Sequence, residues 1–309
     1  MEICIIYSSG ARLHKCANIC ITFKYFGSKY VTMNQAAIIS RSINAIKEHP
    51  KFLLPYLGLI VASVFIGIFV AVAVIIYLST SASSSTVSMH ILSVIITLLP
   101  LFILAAAFIF LVYVYLNGVY ISMASLYVAN GNPSITKALS ASAARFKDLL
   151  ILEIIVSFAY LLSAIVILYP VIGPAQSLIS AIQSGAGHIM AHLLEFVSYS
   201  FMFGIIYIAV AIVLSILFFV APPMVVLGKK GPIDALRESI NIGKNNCMYI
   251  FILLLLSFLV ILAVDLIIAV FSIIPLLGTI INLILSMFIG VFSMLIAPIY
   301  YLSLMKKLK

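Results

Sequence analysis

Six apolar runs, each long enough to cross a lipid bilayer, constrain this chain more than any motif in it. They are about Phe52–Leu78, Ile91–Tyr115, Leu149–Tyr169, Leu194–Ala221, Tyr249–Ile274 and Leu277–Leu304. A hydrocarbon core about 30 Å thick is spanned by about 20 apolar residues in a helix. In lipid every backbone N–H and C=O must find its partner within the protein, and a helix achieves that alone. The runs lack period-two alternation, which excludes an outer-membrane barrel. Only 8% of the 309 residues are charged, against about 25% in a soluble domain, so these are not core helices of a water-soluble globule. The second run stays apolar to Val128, which predicts a helix projecting past the bilayer.

Charge then sets the threading. All 17 Lys and Arg residues lie in alternate inter-run segments. Arg12, Lys15, Lys24, Lys29, Arg41, Lys47 and Lys51 precede the first run; Lys137, Arg145 and Lys147 precede the third. Lys229, Lys230, Arg237 and Lys244 precede the fifth, and Lys306, Lys307 and Lys309 follow the sixth. The loops near 79–90, 170–195 and 272–278 carry none. Lys/Arg bias across short loops orients a chain during insertion, so the expectation is a multi-pass protein of the cell membrane with both termini cytoplasmic. The net charge of +9 then has a topogenic role and a lipid-facing one. Each cation near the surface attracts anionic headgroups by about 1 kcal/mol. The expected partner is membrane lipid; no motif of a nucleic-acid-binding module is present.

Residues 1–32 differ from the rest. They hold Cys4, Cys16 and Cys20, one acid (Glu2) and no long apolar run. A signal peptide would need an apolar stretch of 7–15 residues. Cys16 and Cys20 lack a second ligand pair at zinc-finger spacing, so the cysteines, with Cys247, read as free thiols. Two expectations stand for this stretch: a disordered N-terminal arm, or a mis-assigned start with Met33 the true one. The membrane domain then covers 33–309.

Three basic segments align without gaps: IISRSINAIKE (38–48), ALSASAARFKD (138–148) and ALRESINIGKN (235–245). Ser42, Ser142 and Ser239 coincide, as do Lys47, Lys147 and Lys244, and Asn44 with Asn241. Ile39, Ile43 and Ile46 recur at helical spacing, as do Leu139, Ala143 and Phe146, then Leu236, Ile240 and Gly243. Arg41, Asn44 and Lys47 face the other way. That is the pattern of an amphipathic helix lying in the membrane interface, with the shared Ser at the edge of the apolar stripe. Each segment precedes a pair of runs, which predicts three tandem units, about 34–130, 132–228 and 231–305. Pro170-Val171-Ile172-Gly173 and Pro275-Leu276-Leu277-Gly278 read as two hairpin corners, since Pro ends a helix and Gly permits a reversal. An even number of crossings per unit keeps all copies in one orientation, unlike the inverted repeats of many transporters. The fold class expected is thus an all-α integral membrane protein of six transmembrane helices.

The run Gly231-Pro232-Ile233-Asp234-Ala235-Leu236-Arg237-Glu238-Ser239-Ile240-Asn241, an apolar run after it, and ALSASAARFKD one unit earlier carry a resemblance. From Met33 to Lys309 the chain resembles the membrane domain associated with some glycerophosphoryl diester phosphodiesterases, and related six-span proteins of archaea and bacteria. The enzymes of that group keep their activity in a separate soluble barrel with His and acidic metal ligands. This chain has no His-Arg-Gly signature, so no catalytic residue carries over. What the resemblance implies is a membrane module concerned with lipids.

Ionisable side chains inside spans default to functional hypotheses. Glu153 lies about four residues into the third run, where it is solvated or paired with Lys147 or Arg145. Asp265 lies in the fifth, on the side without cations. It is a cation or proton site, or a neutral carboxyl bonded to Asn282 or Thr279. His188, His192 and Glu195 share one face of a helix; they suit zinc, or equally the polar face of an outer interfacial helix. No HExxH motif, phosphate loop or hydrolase elbow accompanies them, and no cofactor is implied. Three functions are therefore weighed: a non-enzymatic lipid-interacting module with Lys47, Lys147 and Lys244 on headgroups, a transporter or channel with Asp265, Asn282 and Glu153 in its path, and a metal-dependent membrane enzyme.

Overall fold

The computed structural model describes residues 3–4, 20–21, 35–81, 87–184, 189–272 and 274–307, in two units divided at Asn34. In the N-terminal unit, β1 (Ile3–Cys4) and β2 (Cys20–Ile21) pair antiparallel, with Ile3 opposite Ile21. In the second unit, Gln35–Lys309, the described residues form helices joined by short turns, with no strand among them.

Helix α1 (Gln35–Glu48) stops where His49 precedes Pro50. The residue before proline is pushed out of the α region, and His49 sits at φ −130°, ψ 82°. A 3-10 turn over Pro50–Phe52 leads into α2 (Leu53–Ser81). Helix α3 (Val87–Asn130) has 44 residues and is about 66 Å long at 1.5 Å per residue, twice the hydrocarbon thickness. It ends on Gly131, whose φ of 69° is the left-handed geometry a helix C-terminus favours. Helix α4 (Ile135–Leu168) departs from the sequence expectation. Its basic segment is not a separate interfacial helix but runs unbroken into the span. Nothing in Arg145-Phe146-Lys147-Asp148-Leu149 interrupts a helix, whereas His49-Pro50 does so after the first basic segment.

A 3-10 turn at Tyr169–Val171 opens into α5 (Ile172–Ser184), and α6 (Ile189–Phe218) follows. Pro170 thus introduces an extra helix and not a tight corner. After a break at Val220, α7 (Ala221–Val226) and α8 (Pro232–Asn245) bring the chain to Asn246, at φ −122°, ψ 25°. There α9 (Cys247–Phe271) turns away, and α10 (Pro275–Lys307) returns. The corner at Gly278 is tight: a Cβ there would lie 2.7 Å from Phe271 O and from Ser272 Cα.

Among the described residues, six helical stretches are long and apolar enough to cross a membrane. The side chains facing outward along them, such as Phe201, Leu104 and Val270, are large and apolar, a surface suited to lipid and far larger than a soluble monomer exposes. The chain is a polytopic membrane protein.

The core sits at the end that carries the cations. It is built from Phe52, Val114–Ala124, Ala221–Val226 and Val291–Tyr301, most of them fully buried. Tyr120 Oη donates to Phe52 O at 3.0 Å, and Tyr127 Oη to Glu48 Oε2 at 3.2 Å, tying α3 to the start of the first hairpin. Each basic segment lies against a span: α1 on α10, the first half of α4 on α3, α8 on α6 and α7.

Candidate functional site

The three aligned serines are 0%, 1% and 0% exposed. They lie at the centre of each buried face, not at the edge of an apolar stripe. Ile38, Ala138 and Ala235, one turn earlier, are buried beside them, while Ile39, Leu139 and Leu236 are only half-buried. The reason is the solvent. Lipid tails accept bulky aliphatics as readily as a protein interior does, so close helix contacts select small residues and hydrogen bonds. Ser142 Oγ donates to Tyr115 O on α3 at 2.9 Å, and Ser239 Oγ to Leu217 O on α6 at 2.7 Å. Ser42 Oγ instead donates to Ile38 O of its own helix, at 3.0 Å. Glycines allow the approach: a Cβ on Gly118 would strike Ser142 Oγ, and one on Gly243 would lie 2.8 Å from Ile216 O. Lys47, Lys147 and Lys244 remain exposed. Lys244 edges a shallow polar groove on α8 with Asp234, Arg237 and Asn241, and Lys230 pairs with Glu238 across the turn before it.

Glu153 is half-buried and accepts from Asn117 Nδ2 at 3.0 Å. It pairs with neither Lys147 nor Arg145; Arg145 bonds Asp148 at 3.4 Å. The continuous α4 explains this. Arg145 and Asp148 stand three residues apart on one helix and meet there, while Glu153, more than a turn further on, faces α3.

Asp265 is exposed on α9 and makes no hydrogen bond or ion pair among the described residues. Asn282 does not reach it: Ser286 Oγ donates to Asn282 Oδ1 at 2.9 Å. His188 lies outside the described residues. His192 Nδ1 approaches Glu195 Oε2 at 3.7 Å in the first turns of α6, beyond hydrogen-bond reach, and these residues begin the span itself instead of forming a separate interfacial helix. Among the described residues no group of three metal-ligating side chains converges.

A half-open cleft of ≈ 410 Å³ lies in the packed end, between α2, α3, α7 and α10. Tyr56, Tyr113, Asn117, Phe219, Pro222, Pro223, Ser293, Met294 and Pro298 are among the residues that line it. Its volume falls in the range of small-molecule sites, about 300–1,000 Å³. Sequence reading did not single out these residues. The available signals were an amide within an apolar stretch (Asn117) and the recurrence of Ala-Pro at Ala221-Pro222 and Ala297-Pro298, each near the basic end of a run.

Fold and site together define an α-helical, multi-pass membrane protein with a largely apolar cleft, carrying a few polar side chains, at its basic end. Comparison with protein-family models, with curated proteins and with solved structures finds no match.

Proposed function

We propose that this chain is a non-enzymatic, lipid-interacting membrane module of three similar units, inserted with both termini in the cytoplasm. Its basic helices rest on anionic headgroups of the inner leaflet. Each unit is one basic segment followed by two spans, and each basic segment leans on the second span of another unit. The second segment (in α4) packs on α3, the third (α8) on α6, and the first (α1) on α10, closing a ring. The observation that carries the reading is the pairing of aligned residues. Ser142 and Ser239 hold equivalent segments to the preceding span, while Lys147 and Lys244, five residues on and joined by Lys47, stay exposed. The resemblance to phosphodiesterase-associated membrane domains agrees with a lipid role.

The test is boundary-lipid selectivity in nanodiscs, read with spin-labelled phosphatidylglycerol against phosphatidylcholine. At about 1 kcal/mol per cation near the surface, the wild type is expected to favour the anionic lipid. Changing Lys47, Lys147 and Lys244 together to Glu is expected to abolish that preference without altering helix content. Unchanged selectivity overturns the reading. A transporter reading draws support from the cleft, though not from Asp265, which does not line it. The metal-enzyme reading rests on nothing beyond the 3.7 Å approach of His192 to Glu195.

A further inference from the structure

We propose that the cleft between α2, α3, α7 and α10 binds a small organic ammonium ion, held by Tyr56, Tyr113 and Asn117 with Glu153 as the countercharge behind them.

The argument begins with charge balance. Glu153 is half-buried within a span and has no Lys, Arg or His partner among the described residues; its one hydrogen bond comes from the neutral Asn117 amide. An unpaired carboxylate in such a place is costly, and spans that keep one generally place it where a cation or proton completes it. Asn117 connects Glu153 to the cleft. Its Nδ2 is committed to the carboxylate, which leaves Oδ1 as an acceptor on a residue that lines the cavity.

The cleft wall itself is rich in acceptors and holds no cation. Pro298 has no N–H, so the Met294 carbonyl within α10 lacks its intrahelical donor, and Pro222 and Pro223 offer none to the carbonyls of Phe218 and Phe219 where α6 ends. Phe219 and Met294 line the cleft. Phe218 ends α6, so the negative end of that 30-residue helix falls beside the cleft, opposed only by the positive end of the six-residue α7. In many secondary transporters, discontinuous helices use carbonyl ends at a cavity to coordinate a cation. Two tyrosines, Tyr56 and Tyr113, add ring faces, which attract ammonium groups. Leu59, Ile121 and Ala297 complete the wall with apolar surface, which favours a cation carrying an alkyl body over a bare, strongly hydrated ion. No Lys, Arg or His lines the cleft, so an anion of the same size meets no fixed positive charge there.

The experiment uses the full chain in zwitterionic nanodiscs and isothermal titration with three probes of one shape: n-butylammonium, n-butanol and n-butyrate. Saturable binding of butylammonium is expected, at least ten-fold tighter than butanol, with no binding of butyrate. Glu153→Gln is expected to weaken butylammonium about ten-fold and leave butanol unchanged. Should that variant misfold, Ser293→Leu, which fills the exposed edge of the cleft, is expected to remove binding of both probes. Asp265→Asn and the triple lysine variant are expected to bind as the wild type does, so loss of lipid selectivity and loss of this site are separable. Equal affinity for butylammonium and butanol overturns the proposal, as does an unaltered affinity in Glu153→Gln or Ser293→Leu. Displacement of butylammonium by equimolar potassium chloride also overturns it, by assigning the site to a bare ion.

Discussion

At the end of the bundle that carries the lysines, Phe52, Tyr120, Phe292 and Tyr300 are fully buried; away from it, Leu104, Val166, Phe201 and Val270 are each 65% or more exposed. Both regions are drawn from the same apolar alphabet, so hydropathy does not distinguish them. What differs is the small and polar residues set among the large ones. The packed end has Gly118 against Ser142, Gly243 against Ile216, Gly290 against Tyr56, and two serines bonded across helices. The open region has glycines too, but Gly58, Gly67 and Gly204 have nothing within 4 Å of where a Cβ would stand. Burying leucine against leucine gains little over facing lipid, so helix association follows close backbone approach and hydrogen bonding. One end is cohesive for that reason, and the other is left to the bilayer.

The largest loss of folding stability expected of a single change comes from filling one of these approaches. Gly243→Leu puts a Cβ 2.8 Å from Ile216 O and 2.9 Å from Leu217 Cα, both backbone atoms that yield only if α8 lifts from α6. Overpacking of this kind costs about 1–3 kcal/mol. Gly67→Leu meets nothing and replaces a poor helix former by a good one, so it is expected to be neutral or stabilising by up to ~1 kcal/mol. Unfolding of both variants in mixed detergent micelles makes the comparison. Equal losses at the two sites would remove the distinction between a packed end and an open one.

The number of spans, their approximate bounds and the grouping of cations were legible in the sequence, because each follows from a thermodynamic requirement that lipid imposes residue by residue. The continuation of α3 to Asn130 was legible too, in the apolar stretch running to Val128. The helix faces were read less well. Ile39, Ile43 and Ile46 read as one apolar stripe, but the buried face is centred one position away, on Ile38, Ser42, Ala45 and Ile46, so only Ile46 belongs to both. The continuity of α4 depended on the absence of a breaker between Lys147 and Leu149, a weak signal beside the alignment with two basic segments that do end before their spans. The pairing of Glu153 with Asn117 was not legible at all: it joins residues 36 positions apart on different helices, and nothing local to Glu153 indicates α3. The cleft went unseen for the same reason, since its wall is assembled from four separate segments of chain.

A smaller effect isolates the hydrogen bonds at the packed end. Interhelical side-chain hydrogen bonds in membrane bundles average about 0.6 kcal/mol and reach about 1.7. Ser142→Ala and Ser239→Ala are each expected to lose close to that amount, somewhat more at Ser239, whose bond of 2.7 Å is the shorter. Ser42→Ala is expected to lose less, because Ser42 bonds only within α1. The same unfolding assay ranks the three. A Ser42→Ala loss matching the others would show that side-chain volume, and not the cross-helix bond, is what these positions supply.

The smallest change is expected at Asp265, on the open face of α9. An exposed carboxyl with no hydrogen bond or ion pair among the described residues should be replaceable by its amide within about 0.5 kcal/mol, the range of substitutions remote from any buried feature. Asp265→Leu sharpens the point by reversing the sign. An ionisable group far from any countercharge makes insertion costlier by about 2.5–3.5 kcal/mol near the bilayer centre on insertion scales, less where the side chain reaches the interface. Removing it should therefore make the span easier to insert, read as a larger membrane-integrated fraction in a glycosylation-mapped insertion assay of α9. A clear loss of stability in Asp265→Asn, in detergent and in nanodiscs alike, would mean that something seats against this face in the intact assembly. The contrast between the two ends would then hold for the single chain and fail for the working protein.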